Sequence, residues 1–383
     1  MRTHKDRPDP ATHLDEALAR CIGDVGAFER EHWGQRPLLC RGAGPFGDLL
    51  DIAAVERLLG AAARRPTFRL VRDGRPVPPS EYTRTVRVGG TDLANVADID
   101  RIVDQVADGA TVVLQSLQRT WAPVEGFCLE LEEAIGHPVQ ANAYLSPGEG
   151  RAGLSRHSDT HDVIVLQLEG AKGWDVECLG RFALQPGDTL YMPAGTPHAA
   201  CAEDGYSLHL TIGILAVTRR DVLRRIVGEL DDRPLPLGFT RPERRETVLD
   251  ELAAAIDETR RKLGSVDVAA EADREIARTL RRRRSTATGR LRTLLVPDAL
   301  DDDVVLARRH PLTVLPAGDG KIVAVFPDRR LRMPEMTGPA LVMIASCDRI
   351  RMGDLPGLDG AERIVLTRRL VREGLLALVE ARF

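Results

Sequence analysis

Lysine is nearly missing from this chain. Of 53 basic residues among 383, only Lys5, Lys172, Lys262 and Lys321 are lysine, which leaves 49 arginines. Such a bias is the ordinary mark of a GC-rich genome, but it makes each surviving lysine a place to ask why arginine does not stand there. Paired cysteines are also missing. Cys21, Cys40, Cys128, Cys178, Cys201 and Cys347 are scattered with no C-x-x-C spacing. That speaks against a zinc knuckle or a disulfide scaffold and fits a reducing cytoplasm. No run of ~18 apolar residues is present, so no membrane helix is expected. The polar start MRTHKDRPDP does not read as a signal peptide. A net charge of −4 gives the whole molecule no bias toward nucleic acid or an anionic membrane. No solenoid or collagen period occurs.

What is there is a globular composition, 43% hydrophobic and 29% charged, in a chain long enough for two or three domains. Residues 1 to about 12 read as disordered. Helical spacing follows over His13–Arg30, then Leu49–Leu59 and Asp98–Val106. Residues 67–92 read as strands around Asp73-Gly74, and Thr111–Leu117 as a buried strand. Between 138 and 215 short β-rich runs dominate: VQANAYL, DVIVLQL, WDVECL, TLYM and SLHLTIGIL. Their number and spacing predict a jelly-roll sandwich or barrel. Residues 219–284 return to helical periodicity. Leu249, Leu252, Ile256 and Leu263 form one apolar stripe, either an ordinary packed helix face or a dimer seam. The run Arg281–Arg284 and the segment Ser285–Gly289 look like a linker. Beyond them come a hairpin around Pro327-Asp328, helices over GPALVMIAS and AERIVLTRRLVREG, and a closing strand in LLALVEA, a winged-helix order. Arginines there are interleaved with acids, which favours an interaction role over nucleic-acid binding.

The chemistry concentrates in His157-Ser158-Asp159 and in His198, which follows a strand and the turn Pro193-Ala194-Gly195. On a strand, residues two apart share a face. Two histidines and one carboxylate on one side of a metal leave the opposite positions open, as non-haem Fe(II) enzymes need, although zinc or manganese suits the same ligands. His161 would share that face, as a substrate-side group or as a satisfied histidine at the pocket mouth. His209 alternates with Leu208 and Leu210 and should face away from them, in a structural role. The Gly-rich stretch 146–155 lacks the G-K-[ST] ending of a phosphate loop.

HSDTHDVIVLQLEGAKGW, LYMPAGTPH and SLHLTIG together resemble the JmjC-type 2-oxoglutarate oxygenases, in the ribosomal-oxygenase (cupin-4) branch; EHWGQRPLL and RLVRDGRPVPPSEYT resemble that branch's N-terminal region. The resemblance implies an α+β chain with three parts. These are a double-stranded β-helix (jelly-roll, cupin-like) core over 1–216, a helical dimerisation segment over 217–290, and a winged-helix-like domain over 291–383. It implies His157, Asp159 and His198 as catalytic Fe(II) ligands. It implies Lys172 as the cation for the distal carboxylate of 2-oxoglutarate, with Asn142, Tyr144 and Thr211 lining the cosubstrate pocket. O2 is then the second cosubstrate, and a protein side chain of arginine or histidine type is hydroxylated. A ribosomal protein is the substrate suggested by the branch, and acids at a rim (Glu149, Asp162, Glu203, Asp204) would suit a basic one. A homodimer in the cytoplasm, with no membrane and no nucleic-acid partner, completes the expectation. Two other readings stay open: a tailoring oxygenase acting on a biosynthetic peptide or small molecule, and a non-catalytic metal-binding regulator.

Overall fold

A β-branched run flanked by turn residues seeds the centre of the fold, and a computed structural model describes it through residues 15–148, 154–228, 234–283 and 300–379. The expected disorder at the N-terminus, much of the Gly-rich stretch, the linker 285–289 and the boundary at 290 lie outside the described residues. Contacts divide the chain into two units, Met1–Ala216 and Val217–Phe383.

The first unit holds strands β1 (Leu38–Cys40), β2 (Phe68–Arg72), β3 (Arg75–Pro76), β4 (Thr83–Val88), β5 (Thr91–Ala97), β6 (Thr111–Leu114), β7 (Val139–Ser146), β8 (Leu154–His157), β9 (Asp162–Val176), β10 (Gly180–Leu184), β11 (Thr189–Met192) and β12 (His198–Ile214). The large sheet runs β1-β11-β9-β12-β7-β6-β2-β3, with β10 added to β9 and β8 to β12, and β4 pairs with β5 separately. Every pairing in it is antiparallel. This antiparallel, helix-flanked architecture is cupin-like, as the resemblance implied.

β9 explains why DVIVLQL shows no alternation of apolar and polar residues. Its even positions, Ile164, Leu166 and Leu168, join a core with Leu208, Leu210 and Ile212 of β12 and with helix residues such as Leu18 and Leu131. Its odd positions, Val163 and Val165, join Trp174, Leu190 and Met192 in a second cluster on the opposite face. A strand buried on both faces has no solvent side to mark with polar residues.

Three local readings change. The N-terminal helical stretch is two helices, Glu16–Ile22 and Val25–Glu31, because Gly23 takes φ +75° and Asp24 caps the second one through its carboxylate. DVIVLQL and WDVECL share one fifteen-residue strand, which turns at Gly170 (φ +61°); a Cβ there would lie 1.8 Å from the Tyr206 carbonyl oxygen. The helix Ala122–Ile135, with Pro123 in its first turn and Gly136 as its left-handed cap, was not signalled by the sequence patterns.

In the second unit three helices, Arg219–Val227, Arg245–Gly264 and Val268–Arg282, precede strands β13 (Val305–Arg308), β14 (Thr313–Gly318), β15 (Lys321–Phe326), β16 (Arg329–Pro334), β17 (Arg349–Arg351) and β18 (Leu376–Leu378). The strands form two sheets, β17-β13-β18 and β14-β15-β16. Helices Gly338–Ser346 and Gly360–Glu373 share one core with them through Leu341, Ile344, Leu366 and Leu370. The hairpin at Pro327-Asp328 pairs Phe326 with Arg329. Leu280 of the third helix packs on Val323 and Val325 of β15.

Candidate metal centre

β12 and β8 bring the candidate ligands together. His198, the first residue of β12, lies opposite His157, the last of β8. β8 stops at His157, so Asp159 sits in the connection beyond and not two residues along a strand. It is held there by its own backbone, since its carbonyl accepts the Gly195 N–H at 2.8 Å. Donor atoms of His157, Asp159 and His198 all lie within 4.8 Å of one another, and His198 Nε2 is 3.7 Å from Asp159 Oδ2.

The backbone also orients both rings. His157 Nδ1 pairs with the Ser155 carbonyl at 2.8 Å and His198 Nδ1 with the Thr196 carbonyl at 2.9 Å. A carbonyl can only accept, so each Nδ1 carries the proton and each Nε2 keeps its lone pair for a metal. Burial holds the pKa of His198 below the ordinary histidine value, which keeps that lone pair available.

Asp162 is not a rim acid. It is buried, and it accepts the Tyr191 hydroxyl at 2.5 Å and the Ala194 N–H at 2.9 Å. Tyr191 in turn accepts the Gly34 N–H at 2.8 Å. Asp162 thereby fixes the turn whose next residue, Gly195, secures Asp159. Glu203 is exposed, while Glu149 and the Asp204 side chain lie outside what is described. His161 is off the strand, and its ring lies where a Cβ on Gly213 would sit, 2.5 Å from His161 Nε2.

A cavity of about 240 Å³ opens from the three ligands, lined among others by Tyr144, Ser146, Lys172, Trp174, His209 and Thr211. Lys172 is buried, with Nζ 3.4 Å from Ser146 Oγ, which lies 3.0 Å from Thr111 Oγ1. Tyr144 stacks on His209 with ring centroids 5.0 Å apart. Burial raises the Tyr144 pKa and keeps the phenol protonated. His209 does face away from Leu208 and Leu210, into this cavity; burial, reinforced by the Lys172 cation, lowers its pKa to about 3. Asn142, expected in this pocket, is not among the residues lining the cavity; its carboxamide oxygen accepts the Ser116 N–H at 3.0 Å.

Whether a polar anion fits here can be judged from the lining. Trp174 Nε1 and His209 Nδ1 are buried without a hydrogen-bond partner. Orphan polar atoms of this kind are costly unless a ligand or water meets them. A buried lysine, two serine and threonine hydroxyls and an unsatisfied indole N–H suit a small carboxylate, and two histidines with an aspartate suit a divalent metal. Sequence reading passed over Trp174 and Ser146. Their signal was alternation: Trp174 shares a face with Lys172, and Ser146 with Tyr144.

Comparison with known proteins finds a domain match and several likenesses. A model of the JmjC domain matches residues 122–181 and 176–222. The chain is 30% identical over 213 residues to ribosomal oxygenase 1 of Gallus gallus, covering 48% of this chain and 34% of that protein. It is 30% identical over 217 residues to ribosomal oxygenase 2 of Mus musculus, covering 49% and 44%. The chain therefore spans less than half the length of these curated relatives. Among solved structures, the Escherichia coli ribosomal oxygenase YcfD superposes with a TM-score of 0.53 at 18% identity, covering 93% of this chain and 98% of the other. A second structure of YcfD, holding cobalt and 2-oxoglutarate, gives a TM-score of 0.52, also at 18% identity. At that identity the likeness speaks for the fold.

Proposed function

We propose that the chain, whose residues 122–222 match the JmjC domain, is an Fe(II)- and 2-oxoglutarate-dependent oxygenase that hydroxylates a protein side chain. The observation that carries this reading is the pairing of two features in one cavity: His157, Asp159 and His198 at its mouth, and buried Lys172 within. When bound, the metal and 2-oxoglutarate would supply oxygen activation, with succinate and a hydroxylated product as the outcome.

The chain's own residues do the rest. His157, Asp159 and His198 hold the metal through two Nε2 atoms and a carboxylate. Lys172 binds the distal carboxylate, which needs a matched, hydrogen-bonded cation in so dry a place. Trp174 and Tyr144 supply N–H and O–H donors beside it, Thr211 lines the same wall, and Asn142 fixes the neighbouring Ser116 backbone. Val163, Val165 and Met192 exclude water around the reacting centre.

For substrate, a histidine or arginine side chain of a ribosomal protein is the reading favoured by the likeness to proteins named ribosomal oxygenases. Residues 217–290 serve as a dimerisation segment, supported by the stripe Leu249, Leu252, Ile256 and Leu263, which is 39–52% exposed. Residues 291–383 form a winged-helix-like interaction domain. The protein works in the cytoplasm; no disulfide joins the described cysteines, and no described helix is long and apolar enough to cross a membrane.

Anaerobic addition of Fe(II) and then 2-oxoglutarate should give a new visible absorption band, and oxygen should then release succinate. No band and no succinate with any candidate substrate would leave only a metal-binding regulator. Ribosomal proteins from cells with and without the gene should differ by +16 Da on one residue. Turnover on a small peptide or metabolite, with no such mass shift, would favour a tailoring oxygenase.

A further inference from the structure

The second unit carries a groove unconnected with the metal chemistry. Its walls are the edge strand β16 and the helix Gly360–Glu373, and its volume is about 660 Å³. Five consecutive residues of β16, Arg330 to Pro334, line it. A strand shows only alternate side chains to a groove on one face, so consecutive lining means that the groove runs along the backbone edge.

Among the described residues that edge has no strand beside it. β16 pairs with β15 and is last in its sheet. The two-residue turn Pro327-Asp328 makes Phe326 and Arg329 a hydrogen-bonded pair, and the bonded pairs then recur at Leu331 and Met333. The N–H and C=O groups of Arg330 and Arg332 therefore point outward. Pro334, next in that phase, has no N–H to offer and ends the usable edge.

The walls specify what lies along such an edge. On one side are Val365, 68% exposed, and Met336, 48% exposed, with Ala361 one helical turn before Val365. On the other side are the side chains of Arg330 and Arg332, with Arg369 closing the helix wall. Arg330 has no acidic partner among the described residues. Arg332 meets only the exposed Asp319, at 3.6 Å, and Arg369 is shared with Glu373. The single acid in the lining, Glu362, is occupied by its own helix cap, accepting the Asp359 N–H.

We infer that this groove captures an extended acidic peptide from a protein partner by strand addition to β16. Successive side chains of an added strand point to opposite faces. One set would be apolar and settle on Val365 and Met336; the other would be Asp or Glu beside Arg330 and Arg332. Main-chain hydrogen bonds give such capture its affinity, and the alternate pockets give it selectivity.

The test uses the full chain and a fluorescein-labelled peptide of alternating Asp and Val, read by anisotropy at two salt concentrations. Binding should saturate and weaken with salt. The pair Arg330→Glu and Arg332→Glu should weaken it by about tenfold or more, with an unchanged thermal midpoint and unchanged succinate release. N-methylation of alternate peptide residues, in the phase that faces β16, should abolish binding, while the other phase should not. Equal binding of a Lys-Val peptide, or indifference to both N-methyl phases, overturns the inference. So does competition by single-stranded RNA with no peptide binding. A shift of the free protein from dimer to monomer on making the arginine pair would assign the groove to a second copy instead, and overturn it too.

Discussion

The two ends of the cavity in the first unit are built on different principles. At the proposed metal end the candidate ligands sit where strands stop: His157 ends β8, His198 begins β12 and Asp159 is in the connection beyond β8. Backbone carbonyls and one N–H set their geometry. At the anion end Lys172 and Trp174 lie within β9, their backbones locked in register on both sides. Metal sites need donors aimed at a point from several directions, which chain ends and turns provide. A buried cation needs to be dry and immobile, which a central strand provides. The first kind of site depends on hydrogen bonds around it; the second depends on burial.

The largest effect expected from this contrast is at the metal end. His157→Ala or His198→Ala should bring Co(II) binding below detection in an anaerobic titration, while the far-UV spectrum of the folded chain is retained. Retained tight binding would remove that residue from the ligand set. At the anion end Lys172→Ala should leave Co(II) affinity within about twofold. It should raise the apparent KM for 2-oxoglutarate by ~30-fold or more, the cost of ~2–5 kcal/mol for a buried carboxylate left unpaired. If both constants moved together, the two ends would not be separable.

Asp162→Ala tests the support of the metal end. It removes the acceptor of Tyr191 and Ala194, and Co(II) affinity should fall ~10–100-fold, as for other outer-shell partners of metal ligands. An affinity unchanged in Asp162→Ala would mean that Gly195 holds Asp159 unaided.

The smallest effect concerns pH. His209 has a folded pKa of about 3 against ~6.5 when unfolded. Its neutral burial therefore contributes stability that is full above pH ~6.5 and is lost as pH falls toward 3. Each pH unit in that window should cost about 1.4 kcal/mol on its account. Urea titrations of the metal-free His209→Phe variant should show a shallower acid decline; an identical slope would place the proton elsewhere.

The gathering of His157, Asp159, His198 and Lys172 around one cavity was legible because each lay in a short motif of unusual composition, and the β-rich core because turn residues punctuated its strands. What escaped depended on pairing at long range. Asp162 read as a surface acid, because Tyr191 and Ala194, which bury it, are about thirty residues away in sequence. β9 read as two strands because Gly170, a usual strand breaker, here allows a close approach of backbone to backbone. The helix Ala122–Ile135 was hidden because Cys128, Leu131 and Glu132 are all buried, so its apolar stripe carries an acid. Glu132 is there to accept the Val139 N–H at 2.9 Å.

The continuity of β9 has one more consequence. Lys172 is opposite Ala202 and Val176 opposite His198, so four residues, ~13 Å of strand, separate the cation's register from the metal's. No hinge or loop lies between them. For the proposed oxygenase this unbroken strand would fix the spacing of the two anchors, so the length of a dicarboxylate should matter as well as its charge. Oxaloacetate, one methylene shorter than 2-oxoglutarate, and 2-oxoadipate, one longer, should each fail to satisfy both ends, and oxygen-dependent decarboxylation of either, to malonate or glutarate, would show that the spacing flexes.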